Sequence, residues 1–236
     1  MSGADDAGLG SLREAVRDLP PRLRLQLADR WLEAALDEHA SIAAFSRFSL
    51  HLMAVGAPPD LIAAAHDAAL DELAHAQCCF DIAGIYAGEP VGPSPMPLPG
   101  DFLGSQDLAS VAAAAVAEGC VGETAAALEA RTLARVAGHP TLQATLERIA
   151  EDEQQHAALS WRFAGWALGT GGPEVREAIA RAFAQTADAP PGPRPADEPA
   201  EAELLAHGVA TPRMRHDTRI AALEDVIAPA RAALMG

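Results

Sequence analysis

Asp71-Glu72-Leu73-Ala74-His75-Ala76 and Asp152-Glu153-Gln154-Gln155-His156-Ala157 share one pattern, Asp-Glu-x-x-His-Ala. Residues three apart on an α-helix lie on one face, so each hexapeptide offers a carboxylate and an imidazole in the same direction. One such pair means little: in a chain with 33 acids, an acid precedes a given His at this spacing about one time in seven by composition alone. The flanking pattern gives the pairs weight. Leu142, Leu146, Ile149, Glu153, His156, Ser160 and Phe163 form one helical stripe, and Leu61, Ala65, Ala68, Glu72, His75, Cys79 and Ile82 form another. Both pairs therefore sit on faces that should be buried. Neither stripe carries a basic residue, and a buried unpaired carboxylate is costly. A metal ion is the natural counter-charge.

Composition agrees with helices. The 236 residues include 55 Ala, only 26 Val, Ile and Thr together, and 4 % aromatics. That composition favours helix over strand and predicts an all-α fold. All 17 basic residues are Arg, so lysine Schiff-base and phosphate-loop chemistry is excluded. A net charge of −16 disfavours nucleic acid and anionic membrane. No run of about 18 consecutive apolar residues is apparent. The first ten residues have neither a basic segment nor an apolar stretch, so no secretory leader is expected. Cys78, Cys79 and Cys120 form no CxxC pair, and the expected compartment is a reducing cytoplasm.

Turn signals divide the chain. Residues 1–10 read as a disordered acidic tail, and Ser11 with Glu14 reads as a capping box for a short helix to about Leu19. Long helices are expected from about Arg22 to Val55, Asp60 to Tyr86, Asp107 to Val136 and Thr141 to Leu168, with Asp60 and Thr141 as caps. A shorter one runs from Pro173 to about Thr186. Ala187 to Pro199 reads as a proline-rich linker, and a last helix has Thr211 as cap and Pro212 as first residue, ending near Ile227. Short turns join the first two long helices and the last two, and residues 88–104 form a long connection between them. This is a four-helix bundle with one long crossover, plus short extra helices at both ends. Three regions are expected: 1–21 as tail and short helix, 22–168 as the bundle, and 169–236 packing on it.

Depth along the bundle selects the partners. Reflecting Glu153 and His156 through the turn near residue 138 lands on Glu123, with Glu118 several ångströms away at about 1.5 Å per residue. Glu123 is the first choice and Glu118 the alternative. Reflecting Glu72 and His75 through the turn near residue 57 lands closest to Glu38, while His39 lies on the neighbouring face as a structural residue. The candidate set is Glu38, Glu72, His75, Glu123, Glu153 and His156. Four carboxylates balance two divalent ions, and oxygen-rich coordination with one His per metal suits iron or manganese better than a closed zinc site. Asp152 is placed to orient His75, and Asp71 to orient His156. Gly119 lies one turn before Glu123, where a glycine means either close helix packing or open space beside the metals. Trp161 and Trp166 read as packing residues.

Glu, Glu-x-x-His, Glu, Glu-x-x-His on four successive helices resembles the ferritin-like di-iron carboxylate superfamily. Asp37-Glu38-His39-Ala40-Ser41-Ile42-Ala43-Ala44-Phe45 and Glu118-Gly119-Cys120-Val121-Gly122-Glu123-Thr124 resemble a bacterial branch of ferritin-like domain proteins. The resemblance spans about Arg22 to Leu168. It implies a ferritin-like bundle binding two iron ions, with manganese possible, that reacts with dioxygen or peroxide. The implied activity is that of an oxidase or oxygenase using a small-molecule substrate and an electron donor, both unidentified. The alternative is a ferroxidase or iron-binding stress protein without an organic substrate. A homodimer is compatible with either. Where ribonucleotide reductase small subunits carry a radical Tyr, this chain has Cys79, and rubredoxin-type CxxC pairs are absent.

Overall fold

A computed structural model describes residues 3–188 and 192–236, and no strand occurs among them. Eight helices follow in order: α1 Gly3–Ala15, α2 Pro21–Ala54, α3 Pro59–Ala87, α4 Leu108–Val136, α5 Pro140–Thr170, α6 Pro173–Thr186, α7 Glu201–Ala206 and α8, residues 212–235. Proline stands in the first turn of α2, α3, α5 and α6, and again at the start of α8. Its fixed φ suits that position, and its missing N–H is one the helix would leave unbonded anyway. Gly56 (φ 70°) turns the chain between α2 and α3, and Gly88 (φ 85°) ends α3 in the left-handed conformation a Cβ would resist. The Asp107 carboxylate accepts from Ser110 N at 2.9 Å, and Thr211 Oγ1 accepts from Met214 N at 3.2 Å, capping α4 and α8.

Several boundaries differ from the sequence reading. The acidic N-terminal segment is helical from Gly3, because its inner face docks: Leu12 and Val16 are buried and Gly8 O accepts from Thr141 Oγ1. Ser11 therefore lies inside a helix rather than capping one. Asp60 sits in the first turn of α3 without capping it, and the cap of α5 is His139, whose Nδ1 accepts from Thr141 N at 3.2 Å. After the proline-rich stretch comes a short helix that the sequence reading did not expect, α7, anchored by the fully buried Leu204. The last helix continues past Ile227 to Met235. Residues 1–2 of the expected tail and 189–191 of the expected linker lie outside the described residues.

Among the described residues, one helix is long and apolar enough to cross a membrane, Leu108–Val136, with a window of mean hydropathy 1.4. The sequence reading missed it by counting consecutive apolar residues, which Glu118 and Glu123 interrupt. Half of that window is buried inside the fold, as expected of an alanine-rich core helix.

α2 and α3 pack along their length, as do α4 and α5, and α3 packs on α5. Helix α6 lies on α4, and α8 on α4's second half. The apolar interior falls into two clusters. One gathers Leu12, Leu27, Trp31, Ala35, Ala76, Ile82, Tyr86, Ala130, Leu142 and Ala150. The other gathers Phe45, Leu52, Leu61, Ala68, Val116, Cys120, Leu159, Phe163, Phe183 and Ile227. On every long helix the switch from one cluster to the other falls at the same depth, between Ala35 and Phe45, Ala68 and Ala76, Cys120 and Ala130, and Ala150 and Leu159. The polar residues of the candidate set fill that gap.

Candidate metal centre

Six side chains from four helices meet at this level: Glu38 from α2, Glu72 and His75 from α3, Glu123 from α4, Glu153 and His156 from α5. They form two overlapping groups whose ligand atoms lie within 4.8 Å of one another. The first is Glu38, Glu72, His75 and Glu153; the second is Glu72, Glu123, Glu153 and His156. Glu72 and Glu153 belong to both. Burial is deep: Glu72 and His75 are each 1 % exposed.

The histidines are held by their outer nitrogens. His75 Nε2 lies 2.9 Å from Asp152 Oδ2, and His156 Nε2 lies 3.5 Å from Asp71 Oδ2, each carboxylate coming from the opposite motif. The crossed arrangement expected from the paired Asp-Glu-x-x-His sequence is thus present. It leaves both Nδ1 atoms facing the carboxylates. His156 Nδ1 is 3.2 Å from Glu72 Oε1 and 3.2 Å from Glu153 Oε2. His75 Nδ1 is 3.5 Å from Glu38 Oε2 and 3.7 Å from Glu72 Oε2. Phe45 packs on the His156 ring at 4.8 Å between centroids.

Electrostatics here are under tension. Burial and the neighbouring Glu72 and Glu153 raise Glu38 to about 8, against the opposing pull of His75. Burial pushes Glu123 well above the carboxylate range, with Glu153 adding to the shift. Burial would raise Glu72 too, but bonding from His156 and His75 holds it at about 2. Burial lowers the imidazoles, yet bonding to Glu38, Glu72 and Asp152 lifts His75 to about 11, and bonding to Glu153 and Glu72 lifts His156 to about 10. Protons on Glu38, Glu123 and the two imidazoles thus offset the buried negative charge.

Within the cluster two buried atoms, Glu72 Oε2 and His75 Nδ1, still lack a partner in hydrogen-bonding geometry, being 3.7 Å from each other with Glu38 Oε2 at 3.5 Å from the imidazole nitrogen. Buried polar atoms are almost always paired, so two orphans facing one centre fit a group that binds there. The donors, carboxylate oxygens with one imidazole per group, suit a hard or borderline divalent cation.

The sequence left Glu118 open as the α4 alternative. It stands outside the cluster, with both oxygens on Arg47 Nη2 at 2.8 and 2.9 Å. Ala115–Glu123 is wound as a π-helix, with i→i+5 bonding inside an otherwise α-helical α4, which turns residues five apart toward one side, so Glu118 lines the same cavity as Glu123 one turn away from the cluster. The sequence reading missed this winding; its only trace is Gly119 and Gly122 in a helix interior. Gly119 belongs to close packing, since a Cβ there would lie 1.8 Å from Ser160 Oγ. His39 stays out of the cluster, edge-on to Phe80. Cys79 and Cys120 are buried, and burial pushes both thiols up, away from reactive thiolates. Trp161 stacks on Phe183, and Trp166 on Phe163, as packing residues.

A cavity of about 340 Å³ beside α1 reaches His75 from between α3 and α5, and two more reach the carboxylates. One, about 50 Å³, reaches Glu123 between α2 and α4 beside Phe48, Arg47 and Glu118. The other, about 140 Å³, reaches Glu38 and Glu153 from the opposite side, next to Trp31 and Cys79. No family model matches the chain, and no curated protein or solved structure matches it either.

Proposed function

We propose that the chain is a ferritin-like dinuclear metal carboxylate protein, binding two iron ions or manganese in their place, and working as an oxidase or oxygenase with dioxygen or peroxide. The observation that carries this reading is the sharing of Glu72 and Glu153 between two overlapping ligand groups, each with its own His and its own further Glu. Glu38 and His75 would hold one ion, Glu123 and His156 the other, and Glu72 and Glu153 would serve both. Bound metal supplies one-electron chemistry and the activation of dioxygen or peroxide.

The protein's own part is positional and electrostatic. Asp152 and Asp71 fix the ring orientation of His75 and His156 and keep Nδ1 as the ligating atom. The two apolar clusters exclude water above and below. Glu38 and Glu123, whose carboxyls the metal-free site keeps protonated, give up their protons when a cation arrives.

The cavity at Glu38 and Glu153 favours an organic substrate. The narrower one at Glu123, with Glu118 beside it, favours the second reading, a ferroxidase without one. Metal analysis of purified protein, followed by anaerobic ferrous loading, tests the common core. Close to two metals per chain are expected in wild type, with a clear loss in Glu72→Ala and His156→Ala. Equal metal content in wild type and both variants would remove the reading.

A further inference from the structure

The cavity of about 140 Å³ is closed by a part of the chain outside the four long helices. Its walls are Trp31 of α2, Cys79 of α3, Ala126 and Ala130 of α4, and Ile149 of α5, with Glu38 and Glu153 at its inner end. Its roof is Gly208, Val209 and Ala210, the strap between α7 and α8.

That strap is fastened. Trp31 Nε1 donates to His207 O at 3.1 Å, the Tyr86 hydroxyl meets His207 Nδ1 at 2.9 Å, and Gly138 N donates to Ala206 O at 2.7 Å. Gly208 (φ 73°) presses where a Cβ would meet Trp31 Cζ2 at 3.0 Å and Leu146 Cδ1 at 3.1 Å. The roof is therefore a built surface, whose shape depends on glycine at that position.

Charge at the rim is matched from within. Arg30 Nη2 bonds both oxygens of Glu198 at 3.2 Å, and Arg215 Nε bonds Glu129 Oε1 at 3.3 Å. Both arginines are bonded to carboxylates of the chain, so neither is a free anchor for an anionic group. The cavity walls between the charged ends are apolar. An engineered cavity of about 150 Å³ lined by apolar side chains takes up benzene, which calibrates the size.

Resting on the dinuclear reading above, we infer that this strap-roofed cavity is the substrate site, and that it takes an uncharged, largely apolar molecule of about the bulk of one aromatic ring. The substrate lies against Trp31 and the alanines of α4, with its reacting end toward Glu38 and Glu153.

The test uses full-length protein labelled with 5-fluorotryptophan, both as purified and after chelator treatment, with benzene and benzoate as probes. Of the three tryptophans, only Trp31 lines this cavity. Benzene should shift the Trp31 fluorine resonance saturably, and in the chelator-treated protein, where no cation can ligate a carboxylate, benzoate should bind at least tenfold more weakly. Ala126→Leu and, independently, Ala34→Leu fill the cavity from different helices; each should weaken benzene binding at least tenfold while metal content stays that of wild type. Two filling variants guard against one that fails to fold. No Trp31 shift, a shift confined to Trp161 or Trp166, or benzoate binding the chelator-treated protein as well as benzene does would overturn the inference. Metal content is read separately, so a chain that binds benzene at Trp31 but holds no metal overturns the dinuclear reading and leaves a ligand cavity without a reaction.

Discussion

At the scale of single residues, the centre is defined by what His75 and His156 do with their two nitrogens. Asp152 and Asp71 take the outer ones, at 2.9 and 3.5 Å. Carboxylates that orient a metal-bound His typically change metal affinity 10–100-fold when removed. Asp152→Asn should therefore weaken metal binding on the order of tenfold or more by competition with a chelator, with unchanged helicity. Asp71→Asn, at the longer contact, should cost less. Protonation gives a second expectation. Glu38 and Glu123 are raised and His75 and His156 are raised, so the metal-free native state binds more protons than the unfolded chain. Stability then falls as pH rises. The glutamate contribution is complete below about 4.5 and is lost as pH passes about 8 for Glu38; the histidine contribution is complete below about 6.5 and is lost toward 10 and 11. Denaturant melts of metal-free protein should show higher stability at pH 5 than at pH 8. Metal should reverse the trend, because binding releases those protons and tightens with pH. A metal-free protein more stable at pH 8 than at pH 5 would contradict this.

At the scale of elements, α4 is where sequence and structure part. The Glu-x-x-His pairs of α3 and α5 could be read directly, because three-residue spacing on a regular helix fixes their direction. Glu38 and Glu123 came out by depth from the turns, and both meet the cluster. The π-wound segment Ala115–Glu123 could not be read, since its cause is tertiary. α4 passes so close to α5 at Gly119 that a Cβ would strike Ser160. That contact settles the two meanings of Gly119 in favour of packing. Gly119→Ala should destabilise the fold by about 1–3 kcal/mol, the usual range for overpacking. The double variant Gly119→Ala with Ser160→Gly should recover much of the loss in a thermal melt. No recovery would mean the strain lies in the π-winding rather than in the contact. The terminal elements were obscured for the same kind of reason: whether an acidic N-terminal segment becomes helical depends on the surface that buries Leu12, which local sequence does not display.

At the scale of the whole molecule, two apolar clusters sandwich a polar layer, and the C-terminal segment closes one side of that layer. Leu204 is fully buried although α7 has only six residues. Leu204→Ala should cost about 2–5 kcal/mol, as for other buried leucines. It should also loosen the strap over Glu38 and Glu153, raising solvent exchange at the backbone amides of Val209 and Ala210. Unchanged exchange there would separate the strap from α7.

The central claim is that four helices build one dinuclear site with two shared carboxylates. Crystals of metal-free protein soaked anaerobically in ferrous iron, with anomalous diffraction recorded at the iron edge, test it most directly. The account predicts two peaks, one bounded by Glu38 and His75, the other by Glu123 and His156, with Glu72 and Glu153 touching both. An empty cluster, or iron bound only elsewhere on the acidic surface, would contradict it.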